Sequence, residues 1–350
     1  MNTRRAISQV AAIVILVVIV IGAVAGGLYY YLIYTQSSSS NSTNTIRIGT
    51  TFGAADTSDV PSVYAMTVLM KQMGYTVNYV VFTGQQAAVA ALLNGEVDVL
   101  QSSPVGPVAA SQKNTSIVAF GAAESATDEI MVCTSNVTSM AQLATSHATV
   151  AVTSFTDSSY YYPYVWLSQN GYNPNNVNWV FVPGAAGRGA ALLSGKIPCG
   201  ATDVGSTVIL LAQPGNKFHI VATLASLIPT IPLNLLFTTK PYLNSHQAAL
   251  IALLEAGINA NRWAQTQSNY VGFAPSVIGS QLNSTQLTSA YNILITLGIF
   301  NRNSPFNSTI ANTIAQIMGQ FKLGGVTSTP DPSTWANYSL YQQAIAKTGS

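Results

Sequence analysis

One stretch of this chain is written twice, one hundred residues apart, and the repeat limits what the chain can fold into. Val77 to Val99 reads VNYVVFTGQQAAVAALLNGEVDV and Val177 to Cys199 reads VNWVFVPGAAGRGAALLSGKIPC, with 9 of 23 positions identical. Upstream the correspondence continues with a small shift. Gly74-Tyr75 answers Gly171-Tyr172, and Ile46 to Thr51 (IRIGTT) answers Thr149 to Ser154 (TVAVTS). Two copies of roughly 55 residues are too few and too long for a solenoid, so they predict two similar domains.

Each copy reads as β-α-β-α-β. Short apolar strands (46–50 and 149–153) lead through polar loops into apolar helices (63–73 and 160–169). Gly74 and Gly171 stop those helices, because glycine accepts the left-handed conformation that a helix end requires. Second strands follow at 76–82 and 177–182, then Ala-Leu helices that stop at Asn94-Gly95 and Ser194-Gly195, then third strands. Strands alternating with helices predict parallel sheets, which bind ligands at the carboxyl ends of their strands.

Composition narrows the function. Charged residues make up 7% of the chain and hydrophobic ones 48%, with a net charge of +2, whereas a soluble protein is typically about 25% charged. The single basic cluster is Arg4-Arg5, so the electrostatic footprint of nucleic-acid binding is missing. The hydrophobic content is too high for a disordered chain. So little charge suits an acidic exterior, where carboxylates are neutral. No G-x-S-x-G, H-E-x-x-H, C-x-x-C, P-loop or G-x-G-x-x-G occurs, so no enzyme and no catalytic residues are expected. Two cysteines and three histidines (His147, His219, His246) form no zinc or haem spacing, and neither metal nor cofactor is expected.

Val10 to Tyr34 is almost wholly apolar or aromatic. As a helix it would be roughly 37 Å long, enough to span a bilayer, and Arg4-Arg5 in front of it would leave the remainder outside the cytoplasm. Residues 1–35 therefore read as a signal or transmembrane anchor, and 36–45 (QSSSSNSTNT) as a polar tether. Three fates are open: an uncleaved anchor, secretory cleavage after Ala25, or cleavage after Ala6, since RRAISQV resembles archaeal class III (pilin-type) signals. Cys133 and Cys199 fall in one domain, either as a disulfide or as two buried thiols.

From about Thr45 to Phe321 the chain resembles the extracytoplasmic solute-binding proteins of ABC importers, in the nitrate, sulfonate and taurine group that shares its fold with thiamine-precursor binders. The resemblance rests on IRIGTT, on AALLNGEVDVLQSSPVGPVAA, on TVAVTSFTDSSYYYPYVWL and on the segment ending NRWA. One departure is Pro198, where the second copy would carry the counterpart of Asp98. The resemblance implies an α/β, two-lobed, type II periplasmic-binding-protein-like fold with a ligand cleft between the lobes. Lobe one would hold 46–126 and 228–321 and lobe two 127–227, joined by two hinge crossovers, with 322–350 as a C-terminal tail. It also implies a small-molecule ligand and, as partners, an ABC permease and its ATPase. The solute would be a small anion of sulfonate, taurine or nitrate type. A neutral thiamine-precursor pyrimidine, or a pilin-like structural role on the cell surface, is the alternative.

In that geometry the loops after the strands line the cleft. Lobe one would contribute Thr50, Thr51, Phe52, Thr83, Gly84, Gln85, Ser102 and Ser103, and lobe two Ser154, Ser158, Tyr160, Gly184, Arg188 and Asp203. Hydroxyls and helix N-termini suit an anionic head group. Arg188 falls in the first turn of a helix, where lobe one has Ala88. A cation there is locally unfavourable, so either an anion compensates it or it faces solvent. Asp157, Asp56 and Asp59 read as helix caps, and Tyr160 to Tyr162 as aromatic walls.

Overall fold

The first copy of the repeat folds into β1 (Thr45–Thr50), α1 (Val60–Tyr64), a π-helical turn (Ala65–Leu69) continuing into α2 (Met70–Gln72), β2 (Thr76–Val81), α3 (Gln85–Leu93) and β3 (Val99–Ser102). This computed structural model describes residues 44–51, 56–82, 84–134, 136–215, 217–228 and 231–349. The expected signal, anchor and most of the tether lie outside them, and no described helix is long and apolar enough to cross a membrane. The chain divides into two compact units, Met1–Thr45 and Ile46–Ser350, and the second holds both copies.

After α4 (Val105–Ser111) and β4 (Ile117–Glu124), the chain crosses through 125–129 to β5 (Ile130–Thr134) and α5 (Met140–Thr145). The second copy follows as β6 (Thr149–Val152), α6 (Ser158–Gln169), β7 (Asn178–Phe181), α7 (Ala185–Leu193) and β8 (Cys199–Thr202). The equivalent helices α3 and α7, and the strands β3 and β8, keep the sequence offset of one hundred to the residue. Gly74 and Gly171 adopt φ values of 85° and 80°, the left-handed conformation that ends the preceding helices. Beyond α8 (Val204–Leu211) and β9 (Phe218–Thr223), the chain returns through 224–233 to β10 (Asn234–Thr239). Six helices finish it: α9 (Lys240–Ser245), α10 (Gln247–Trp263), α11 (Gln267–Ile278), α12 (Ser284–Thr296), α13 (Ser308–Phe321) and α14 (Pro332–Trp335), before α15 (Ser339–Thr348) closes the chain.

Two five-stranded sheets result, ordered β2-β1-β3-β10-β4 and β7-β6-β8-β5-β9. They are equivalent strand for strand. The repeat supplies the parallel strands, with β1 beside β3 and β6 beside both β7 and β8. The sheets are not wholly parallel, however. Each crossover delivers its strand from the opposite end, so β10 runs antiparallel to β3 and β4, and β5 to β8 and β9. Cys133 and Cys199 are direct partners in the β5–β8 ladder, with Cα atoms 4.1 Å apart, and form a disulfide. The open choice between bridge and free thiols is resolved in favour of the bridge.

Apolar cores cover both sheets. Ile46, Ile48, Val99 and Phe120 pack beneath Leu250, Leu254 and Ile258 of α10. On the second sheet, Ile130 and Val132 share a core with Val204, Leu210, Tyr270 and Leu294. Helix α12 packs against α8 of lobe two, although 228–321 was expected in lobe one, whereas α11 packs on lobe one, with Phe273 against Tyr64 and Tyr270 Oη donating to Thr57 O at 2.7 Å. The repeat does not reach these helices, so it carries no signal about which sheet they roof. The expected tail at 322–350 is also folded onto the first sheet. Trp335 is 1% exposed, Asn337 donates its backbone N–H to Ala119 O at 2.8 Å, and Leu340 and Ala344, one helical turn apart, are buried with α10. Full burial of a large apolar side chain is worth roughly 1.5–3 kcal/mol, which a loose tail would forgo.

Candidate functional site

The carboxyl ends of the parallel strands of both sheets meet at a cavity of about 410 Å³ between the lobes. Lobe one contributes Thr51, Asp56, Phe82, Gly84, Gln85 and Ser103; lobe two contributes Thr153, Ser154, Asp157, Ser158, Gly184 and Arg188, with Asp203 opening α8. The crossovers supply Asp128, Glu129 and Leu233. The lobes approach closely beside it: a Cβ on Gly205 would lie 3.0 Å from Thr57 Cγ2, and Ser103 Oγ donates to Thr156 O across the gap at 3.4 Å.

The repeat sets the local architecture. Gly84 and Gly184 begin α3 and α7, and neither helix has a side-chain cap. Their first backbone N–H groups thus lack helical partners and present the positive ends of two helix dipoles from opposite lobes. Gln85 Nε2 donates to Ser102 Oγ and Ser103 O at 2.9 and 2.8 Å, and Gly106 leaves room for its amide. Asp157 and Asp203 cap α6 and α8, accepting from Ser159 N at 3.1 Å and Ser206 N at 2.8 Å.

Arg188 lines the cavity but is neither a free cation nor a surface one. It is 2% exposed. Its Nη2 donates to Glu129 Oε1 at 3.0 Å, its Nη1 to Thr153 Oγ1 and its Nε to Ala201 O. The compensating anion anticipated at this helix start is Glu129, from the chain itself.

Other expected residues divide. Thr51, Gly84, Gln85, Ser103, Ser154, Ser158, Gly184 and Asp203 reach the cavity wall. Thr50 and Ser102 are buried behind it, because alternate side chains of a strand face away. Tyr160 is turned into an aromatic cluster with Phe155, Tyr164 and Trp179 rather than forming a wall. Phe52 and Thr83 lie outside the described residues. Asp59 makes no side-chain cap on α1; its Oδ1 accepts from Gln101 Nε2 at 3.2 Å, as does Glu124 Oε1 at 3.0 Å. Asp56 accepts from Ser58 N and Oγ in a turn before α1.

The residues missed from sequence are Asp128 and Glu129 on the first crossover. The available signal was that they are the only adjacent acidic pair in a chain with 11 Asp and Glu. Burial pushes both carboxyls up, with Asp56, then Asp203, adding for Asp128, and with Asp157 adding for Glu129 while the paired Arg188 charge opposes the rise. Burial likewise raises Asp59, with Glu124 beside it, and lifts Glu124 and Asp203 each to about 7. This cavity can hold a small polar solute, offering uncapped N–H groups on two sides and carboxyl groups on a third.

Residues 64–235, just under half the chain, match a family described as the phosphonate periplasmic substrate-binding protein of ABC transporters. None of the curated proteins matches the chain in sequence. A protein from Bordetella bronchiseptica RB50 superposes with a TM-score of 0.74 at 17% identity, covering 87% of this chain and 98% of its own. The alkanesulfonate-binding protein SsuA from Xanthomonas axonopodis pv. citri, solved bound to MOPS, gives 0.68 at 14% identity over 85% of this chain and 100% of that one. The periplasmic nitrate-binding protein NrtA from Synechocystis PCC 6803 gives 0.69 at 12% identity over 87% and 89%. The chain therefore has the two-lobed fold of periplasmic substrate-binding proteins, and residues 64–235 carry the sequence pattern of the ABC-transporter phosphonate-binding family.

Proposed function

We propose that this chain is the extracytoplasmic receptor of an ABC importer, holding a small solute between its lobes and passing it to a permease driven by its ATPase. The observation that carries the reading is the cavity where both copies of the repeat place an uncapped helix N-terminus, at Gly84 and at Gly184. A sulfonate, taurine or nitrate type of head group would accept hydrogen bonds from those N–H groups, favoured by the helix dipoles. The match over 64–235 supports the same reading. The N-terminal apolar segment, as anchor or pilin-type signal, would keep the receptor at the outer face of the membrane.

Differential scanning calorimetry of the full-length protein against nitrate, taurine and alkanesulfonates tests it. A solute at a hundred times its Kd should add about 2.7 kcal/mol of stability. If none of these raises the melting temperature, the assignment to anionic head groups fails. A shift with a neutral pyrimidine instead would point to the alternative ligand class.

A further inference from the structure

Charge is scarce in this chain and unevenly placed. Of its 11 acidic residues, five line the cleft: Asp56, Asp128, Glu129, Asp157 and Asp203. Against them stands Arg188, the one basic side chain among the described residues on that wall, and Glu129 already holds it at 3.0 Å. Asp157 and Asp203 are committed to helix N-termini. Asp56 receives both of its donors, Ser58 N and Oγ, on a single oxygen. Asp128 is 1% exposed, lines the cavity, and its Oδ2 has no hydrogen-bond partner. A buried carboxylate with neither donor nor cation is strongly unfavourable, and two facing carboxyl groups cannot both ionise unless a positive charge joins them.

We infer that the solute held in this cleft, on the receptor reading above, carries a protonated amine seated against Asp56 and Asp128. An ammonium group brings one positive charge and three N–H donors, whereas this pair has no cation beside it on the wall and Asp128 Oδ2 has no donor. Among the described residues no three His, Cys, Asp or Glu side chains are arranged to hold a metal ion, so the wall suits an N–H cation. The uncapped ends of α3 and α7 remain available to the solute's other, polar or anionic end.

Without the solute, burial favours a proton on Asp128. The groups facing Asp128 are Asp56 and Asp59 before α1, Glu129 beside it, Asp203 opening α8 and Tyr270 of α11, with the Arg188 charge reaching it through Glu129. All but Arg188 are acids, and burial with this company raises Asp128. An amine must therefore displace a proton as it binds.

Calorimetric titration of the full-length protein with taurine, ethanolamine and ethanesulfonate, in two buffers of different ionisation enthalpy, separates the charges. Taurine and ethanolamine should bind with proton release, and ethanesulfonate should bind at least about 30-fold more weakly than taurine. Asp128→Asn, nearly isosteric, should weaken taurine by a similar factor at an unchanged melting temperature, and Asp56→Asn provides an independent second variant. Ethanesulfonate binding as tightly as taurine, or taurine binding indifferent to both variants, overturns the inference and leaves the receptor reading standing. If none of the three binds the wild-type chain, the receptor reading for such solutes fails, and the inference fails with it.

Discussion

Replacing Arg188 with alanine should destabilise the folded chain itself, and not only its complex with a solute. The guanidinium is 2% exposed and donates in three directions, to Glu129, Thr153 and Ala201. Its removal leaves Glu129, 6% exposed, without a cation, and leaves a buried carbonyl and hydroxyl without their donor. Breaking a buried pair by deleting one partner typically costs about 3–5 kcal/mol, whereas truncating a surface arginine stays within about 0.5 kcal/mol. Urea unfolding followed by tryptophan fluorescence, without added solute, measures the difference. Glu129→Gln in the Arg188→Ala background should recover part of the loss, because a neutral amide needs no cation. Arg188→Lys should be intermediate, since one ammonium cannot reproduce a fork that reaches three acceptors. An Arg188→Ala chain that unfolds within about 0.5 kcal/mol of wild type would refute the buried-pair argument.

Stability should fall as pH rises from about 4 to about 7. Burial lifts Glu124 and Asp203 to about 7, and a carboxyl raised in the folded state contributes stability that is complete below its unfolded value and lost as pH passes the folded one. Thermal unfolding across that range should show the decline, and Glu124→Gln should flatten it; a profile that climbs with pH would contradict it. The Cys133–Cys199 bridge spans 66 residues of sequence, so the Cys133→Ala/Cys199→Ala double variant should lose about 4 kcal/mol by the loop-entropy argument, measured by denaturant unfolding. Trp335→Ala should cost about 3–5 kcal/mol in the same assay, and a negligible effect would return 322–350 to the status of a tail. Mass spectrometry of the mature N-terminus should find an intact segment or a start at Ile7; a start at Gly26 would indicate ordinary secretion.

What could be read from the sequence follows the reach of the repeat. Inside it, two copies report each other's hydrophobic period and glycine stops, so α3 and α7 come out aligned to the residue. Gly184, Ser158 and Arg188 reach the cleft wall for the same reason, as residues following equivalent strands. Outside it the sequence is silent. The antiparallel β5 and β10 arise from the direction in which each crossover enters a sheet, and the helices from α11 onward bury apolar faces whose partners are far away in the chain. Asp128 and Glu129 lie on a crossover with no counterpart in the other copy, and their effect depends on charges brought from both lobes. Tyr160 carried a different ambiguity. A tyrosine at a helix start can face ligand or lobe, and here packing with Phe155 and Trp179 decides.

The low charge of the chain and the crowding of its carboxyl groups are one fact seen twice. Asp56, Asp59 and Glu124 come from lobe one, Asp157 and Asp203 from lobe two, and Asp128 and Glu129 from the hinge between them, so seven of 11 acidic residues lie in or directly behind the cleft. On the receptor reading, closing the lobes would bring these groups together and remove water from between them, and both changes would strengthen repulsion among any that are charged. Such closure would require neutralisation by Arg188, by protons or by the solute. Arg188 serves one carboxylate. In an acidic exterior, if that is where the chain works, protons would serve much of the remainder and leave little need for further lysines and arginines, in keeping with 7% charged residues. On the receptor reading, the last increment falls to the bound solute. A solute that supplies positive charge interacts more favourably with the closed state than with the open one, and only such a difference can shift the hinge equilibrium. A permease that recognises the closed form would then receive loaded receptors in preference to empty ones.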